Sequence, residues 1–159
     1  MKNILLVLSI LILAHFSADA QTRQLYSFEE LMQAVKSGTP VRMVFQYARC
    51  ELISDNEKQD KIPDAIGGMP LDVFEYFAPN AVRNKEAFIV ASENRLIENP
   101  KGDGYVYNYV KVKIMADNSV KISARYLNPV TLAEQMDENF FGRINDGKNE
   151  GGILLYANE

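Results

Sequence analysis

The chain is poor in the residues that carry most covalent and metal chemistry. Its 159 residues include one histidine, one cysteine and no tryptophan. The histidine, His15, sits in an N-terminal stretch that reads as a removable address. Lys2 supplies a basic end, Ile4 to Leu13 is apolar except for Ser9, and Ala18-Asp19-Ala20 forms an A-x-A site before Gln21. The run is short for a membrane span, and no stop-transfer pattern follows. The expectation is a secretory signal peptide over 1–20, cleaved between Ala20 and Gln21. One domain over 21–159 would then be secreted or periplasmic. Cleavage removes one base, Lys2, and one acid, Asp19, so the net charge stays at −4.

These absences exclude whole classes of function. With His15 removed, Ser-His-Asp and Cys-His catalysis cannot be assembled, nor can histidine-based zinc or iron sites. One cysteine excludes an internal disulfide. Mild acidity argues against nucleic-acid binding. No second apolar run is long enough to span a membrane. No glycosylation acceptor Asn-x-Ser/Thr occurs.

What is present is β pattern. The longest example is Gly104 to Pro129, GYVYNYVKVKIMADNSVKISARYLNP. Val106, Val110, Val112 and Ile114 alternate with Tyr105, Tyr107, Tyr109, Lys111 and Lys113, which is the period of a half-buried strand. After Asp117-Asn118-Ser119 the pattern resumes with Val120, Ile122, Ala124 and Tyr126. A two-residue loop would set Ile114 against Lys121, core against solvent. A three-residue loop that pairs Ala116 with Val120 and Ile114 with Ile122 keeps each face uniform. Such loops end in a left-handed residue, here Asn118 or Ser119, and Asn tolerates that region better. On the outer face this register puts Lys111 opposite Arg125, Lys113 opposite Ser123 and Met115 opposite Lys121.

Upstream, Tyr26 to Gly38 carries a helix signature. Ser27 with Glu30 makes a capping box, and Phe28, Leu31, Met32 and Val35 share a face. Gly38 and Pro40 stop it. Val41 to Leu52 reads as a strand whose phase blurs at Ala48 to Cys50, a bulge or a stretch buried on both faces. Ser54 to Asp64 reads as a polar loop. Asp55 and Glu57 lie close in sequence, but nothing there would separate their pKa values for acid–base work. Gly67-Gly68 lacks the rest of a phosphate-binding pattern. Leu71 to Phe77 reads as a strand, its aromatics Phe74, Tyr76 and Phe77 assigned to the core. Ala87 to Ala91 is a strand covered on both faces. Residues 131–139 alternate poorly and read as helix or irregular chain. Phe140–Asn145 and Gly152–Asn158 are the last two strands. Seven strands and one amphipathic N-terminal helix result. The fold expected is mainly β, a single-domain antiparallel meander that forms a small barrel or a two-layer β fold.

Four blocks of this chain resemble the VirK-like family of small exported proteins: SFEELMQAVKSGTPVRMVFQYARC at 27–50, IGGMPLDVFEYF at 66–77, EAFIVASENRLI at 86–97 and YNYVKVKIMADNSVKISARYL at 107–127. None is a catalytic signature. The resemblance implies an exported protein linked to bacterial virulence regulons. It also implies a second cysteine near the penultimate strand in some relatives. Here that stretch reads Phe140-Phe141-Gly142-Arg143.

Function therefore reads as binding rather than catalysis, with no cofactor. Cys50 is expected to be a buried free thiol. Lys111, Lys113, Lys121 and Arg125, with Tyr107 and Tyr109 continuing the face, form the candidate site for an anionic or protein partner. The alternatives are a carrier of a small apolar ligand inside a barrel, and a histidine-free enzyme.

Overall fold

The helix starts where its capping signal stands. In a computed structural model that describes residues 21–54 and 56–158, Ser27 is the N-cap of α1 (Phe28–Lys36), and its Oγ accepts the Glu30 N–H at 3.2 Å. The Glu30 carboxylate reaches back to accept the Tyr26 N–H at 3.0 Å. Removing such a cap costs about 1 kcal/mol. Ala20 and Asp55, named above for cleavage and for a carboxylate pair, lie outside the described residues.

Among the described residues eleven strands accompany the helix rather than seven: β1 (Thr22–Leu25), β2 (Val41–Gln46), β3 (Glu51–Ser54), β4 (Glu57–Gln59), β5 (Ile66–Pro70), β6 (Phe74–Phe77), β7 (Phe88–Glu98), β8 (Tyr105–Met115), β9 (Ser119–Leu127), β10 (Glu134–Arg143) and β11 (Ile153–Asn158). They form two antiparallel sheets, ordered β1-β11-β2-β5 and β4-β3-β10-β9-β8-β7-β6. The two-layer form of the expected fold is the one found. Among the described residues no barrel closes, because each sheet ends in strands paired on one side only. The meander is confined to β6 through β10; β11 leaves it to pair between β1 and β2 in the smaller sheet.

One apolar cluster fills the space between the sheets. Ile89, Val112, Ile114, Ile122 and Phe140 of the larger sheet belong to it with Met43, Phe45, Leu155 and Ala157 of the smaller one. Leu31 and Met32 join from α1. The helix start is tied to the β8–β9 turn, where the Asn118 side-chain oxygen accepts the Phe28 N–H at 2.7 Å.

The sheets differ in length. Strands β7 and β8 have 11 residues each, whereas β1, β2, β5 and β11 have between 4 and 6. At ~3.3 Å per residue this is about 36 Å against at most about 20 Å. The smaller sheet cannot cover the whole inner face of the larger one.

Five sequence readings change. The β8–β9 loop has three residues, but they are 116–118, so Ile114 faces Val120 and Val112 faces Ile122. The shift is by two, so every side chain keeps its expected face and only its partner changes. The left-handed residue is Asn118, with φ of 68°. The blurred phase near Ala48 is neither bulge nor double burial. A 3-10 turn at Tyr47–Arg49 carries the chain from the small sheet to the large one. Residues 134–143 are strand throughout; their register slips between Glu134 and Met136, which is why the alternation looked broken. The polar loop after Ser54 contains the short strand β4. Finally, Phe74 and Tyr76 are not core: they are 36% and 44% exposed on the edge strand β6.

Candidate functional site

The outward side chains of β8 and β9 meet in a concavity of about 410 Å³ lined by Tyr109, Lys111, Lys113, Lys121, Ser123 and Arg125. Period two makes this unavoidable. Val112, Ile114, Val120 and Ile122 must face the core, so the odd-numbered residues between them face out. Five of the six residues singled out in the sequence line or approach this hollow together. Tyr107 is on the same face but further along, opposite Leu127 and Leu96.

The true register rearranges the charges. Lys113 stands opposite Lys121, Lys111 opposite Ser123, and Tyr109 opposite Arg125. The expected pairs of Lys111 with Arg125, Lys113 with Ser123 and Met115 with Lys121 do not form.

Neighbouring strands treat the four cations differently. On β10, Asp137 stands beside Arg125 and accepts its Nε–H at 3.1 Å; Glu134 lies 3.1 Å from another guanidinium nitrogen. The hydrogen bond to Asp137 is the main reason the Arg125 pKa is raised. The Ser123 hydroxyl is occupied, donating to Asn139 at 2.8 Å. No carboxylate among the described residues lies within ion-pair distance of Lys111, Lys113 or Lys121. Two of these ammoniums sit over rings instead. Lys113 Nζ is 3.9 Å from the Phe88 ring centroid, and Lys121 Nζ is 5.3 Å from that of Phe141. Phe88 in turn stacks on Phe77 at 4.8 Å. A ring face attracts a cation by about 0.5–1 kcal/mol at an exposed site. It holds the head group in place but cancels none of its charge.

The hollow thus gathers positive charge that no neighbouring carboxylate among the described residues neutralises at three of its four cations. No hydroxyl in it is paired with a base, and no group of three or more His, Cys, Asp or Glu is gathered for a metal anywhere among the described residues. The sequence missed Phe88, Phe141, Asp137 and Glu134. Asp137 and Glu134 were hidden by reading 131–139 as non-strand, whereas Phe141 lay on the expected strand Phe140–Asn145 and was not assigned to the site. On a strand, Asp137, Asn139 and Phe141 fall at alternate positions beside Arg125, Ser123 and Lys121.

Cys50 is buried and free. Its thiol donates to the Gln46 carbonyl at 3.7 Å, and burial pushes its pKa up. Two glycines pack on the sulfur. A Cβ built at Gly142 would lie 2.9 Å from Sγ, and one at Gly152 would lie 3.0 Å away. Gly142 belongs to the penultimate-strand stretch where relatives were expected to carry a second cysteine.

Comparison with known proteins agrees with this architecture. No curated protein matches the sequence. The crystal structure of a VirK family protein from Legionella pneumophila superposes with a TM-score of 0.62 at 14% identity, covering 83% of this chain and 97% of the other. That likeness concerns the fold. The family model described as VirK protein matches residues 24–132, well over half of the sequence, and on that match the chain belongs to the VirK family.

Proposed function

We propose that this protein is an exported binding module that works without catalysis, and that the outer hollow of β8 and β9 receives an anionic partner. The observation that carries the reading is the trio Lys111, Lys113 and Lys121. Three ammoniums line one concavity with no carboxylate of the described residues within ion-pair distance, in a chain whose net charge is negative. Scattered surface lysines are ordinarily screened by nearby acids or solvent. Here the sheet register concentrates them, and the neighbouring acids are engaged with Arg125. A concentrated positive field steers anions toward it.

Export is part of the proposal and has its own test. Secreted material should begin at Gln21 by N-terminal sequencing; retention of residues 1–20 in the folded product would contradict it. For binding, the mature domain is titrated with dextran sulfate and with anionic lipid vesicles while amide shifts are followed by NMR. Shifts should cluster on residues 109–113 and 121–125 and vanish in Lys111→Glu. Shifts that survive this reversal would move the site off the hollow.

A further inference from the structure

The inner face of the larger sheet carries a second, separate hollow, which owes nothing to the lysine face. The smaller sheet is too short to cover the ends of β8, β9 and β10 nearest the β7–β8 connection. There Val110, Ala124, Met136 and Phe140 form an apolar floor. The segment around Pro63 to Gly67 walls one side, and the space enclosed is about 360 Å³. This is the lower end of the range used for small ligands, roughly 300–1,000 Å³.

Polar groups converge on that floor. The Tyr47 ring is fixed between Phe140, with centroids 4.4 Å apart, and Gly67. Any Cβ at position 67 would come within 2.7 Å of the Tyr47 hydroxyl, so only glycine leaves room for the ring. Burial, with smaller contributions from Cys50, Tyr126 and Glu138, pushes the Tyr47 pKa up to about 12. The hydroxyl is therefore a neutral donor at any physiological pH. No hydrogen bond joins the Tyr47 hydroxyl, the Tyr126 hydroxyl or the Asn108 amide to another described residue, so each is open to water or to a ligand in the hollow. At the mouth, Lys101 Nζ lies 3.6 Å from the Glu138 carboxylate and 6.0 Å from the Tyr126 ring centroid. The mouth is thus internally neutralised, unlike the outer face.

We infer that this hollow is a binding site for a small, neutral, amphipathic molecule of about ten non-hydrogen atoms, an apolar body carrying a carbonyl or amide oxygen. The body covers Val110, Met136 and Phe140. The oxygen accepts from the Tyr47 hydroxyl, with Asn108 within the same pocket to donate or accept. A charged ligand is disfavoured, because the Lys101–Glu138 pair already satisfies both signs and the floor offers a charge no compensation.

The test uses neutral probes of that size: N-benzylacetamide, N-hexylacetamide and acetophenone, with 3-phenylpropanoate as the charged control. Each is titrated to millimolar concentration into the mature domain, followed by amide and methyl NMR. The inference expects saturable shifts at Gly67, Val110, Met136 and the Asn108 side-chain amide for the neutral probes, and weaker ones for the acid. Val110→Phe, which fills the floor, should abolish them. Tyr47→Phe should weaken binding about tenfold with little change in melting temperature, as expected for a lost hydrogen bond to ligand. Absence of shifts for all three neutral probes, or shifts confined to the outward residues Lys111, Lys113, Lys121 and Ser123, overturns the inference. So does binding indifferent to Tyr47→Phe, which carries the test should Val110→Phe fail to fold.

Discussion

Lys113 and Lys121 face one another across adjacent strands, and no carboxylate among the described residues lies within ion-pair distance of either. Each ammonium instead rests over a phenyl ring from the outer neighbour of its strand, Phe88 on β7 and Phe141 on β10. Like charges directly opposite in a sheet are destabilising. The rings reduce that cost and hold both head groups toward the same hollow. An anion arriving there meets a pre-positioned pair, with Lys111 two residues along the same strand face.

Lys121→Glu converts this repulsion to attraction. Cross-strand pairs are worth about 0.2–1 kcal/mol, so the melting temperature should rise by a few degrees. The same substitution should weaken anion binding. A lower melting temperature would mean that the lysine pair is not strained in the free protein.

The register has a paired test. Ile122 is fully buried opposite Val112, so Ile122→Lys buries a charge without a partner and should unfold the domain. Lys121→Ile, one residue away on the outer face, should leave thermal stability within about 1 kcal/mol. Melts in the reverse order would exchange the two faces of β9.

Cys50 and Gly142 are close enough to test by cross-linking. The built Cβ at 142 also comes 2.6 Å from the end of the Ile153 side chain, which can swing aside. Gly142→Cys should therefore oxidise to an intramolecular disulfide, seen as loss of free thiol and faster non-reducing migration. In the parent protein Cys50 should alkylate slowly in native buffer and quickly in denaturant. Two freely titratable thiols in the variant would contradict the packing.

Tyr47 gives a signature at high pH. Its folded pKa of about 12 lies above the ordinary value of 10.0, so the folded state resists its ionisation. The stability it contributes is complete below pH 10 and is lost as pH rises toward 12. Denaturant melts across that window should show wild type losing more stability than Tyr47→Phe. Identical profiles would place the hydroxyl in solvent.

Much of this was legible in the sequence, because periodicity reports which face a side chain takes. The two faces of β8 and β9 and the capped helix follow from patterns of two and 3.6, whereas those patterns left barrel and two-layer forms equally open. Partners across strands are less legible, since a slip of two residues preserves both faces. One clue was present: only a loop over 116–118 ends on Asn118, the better left-handed residue. Its side chain also caps Phe28, which strengthens the choice, but that contact spans 90 positions. The first part of β10 was hidden by its bulge, and with it went Asp137 and Glu134. The inner hollow was illegible because it arises from unequal sheet lengths, and the turn at Tyr47 looked like continuous strand.

The most direct measurement is the salt dependence of dextran sulfate binding, by calorimetry, for wild type and for a variant with Lys111, Lys113 and Lys121 all changed to Gln. With three uncompensated ammoniums in the site, wild-type affinity should fall about tenfold or more between low and physiological ionic strength, where screening extends to ~8 Å. The variant should bind weakly at both, with a melting temperature no lower than that of wild type. Equal binding by the two proteins, or wild-type binding indifferent to salt, would contradict an anion site on the β8–β9 face.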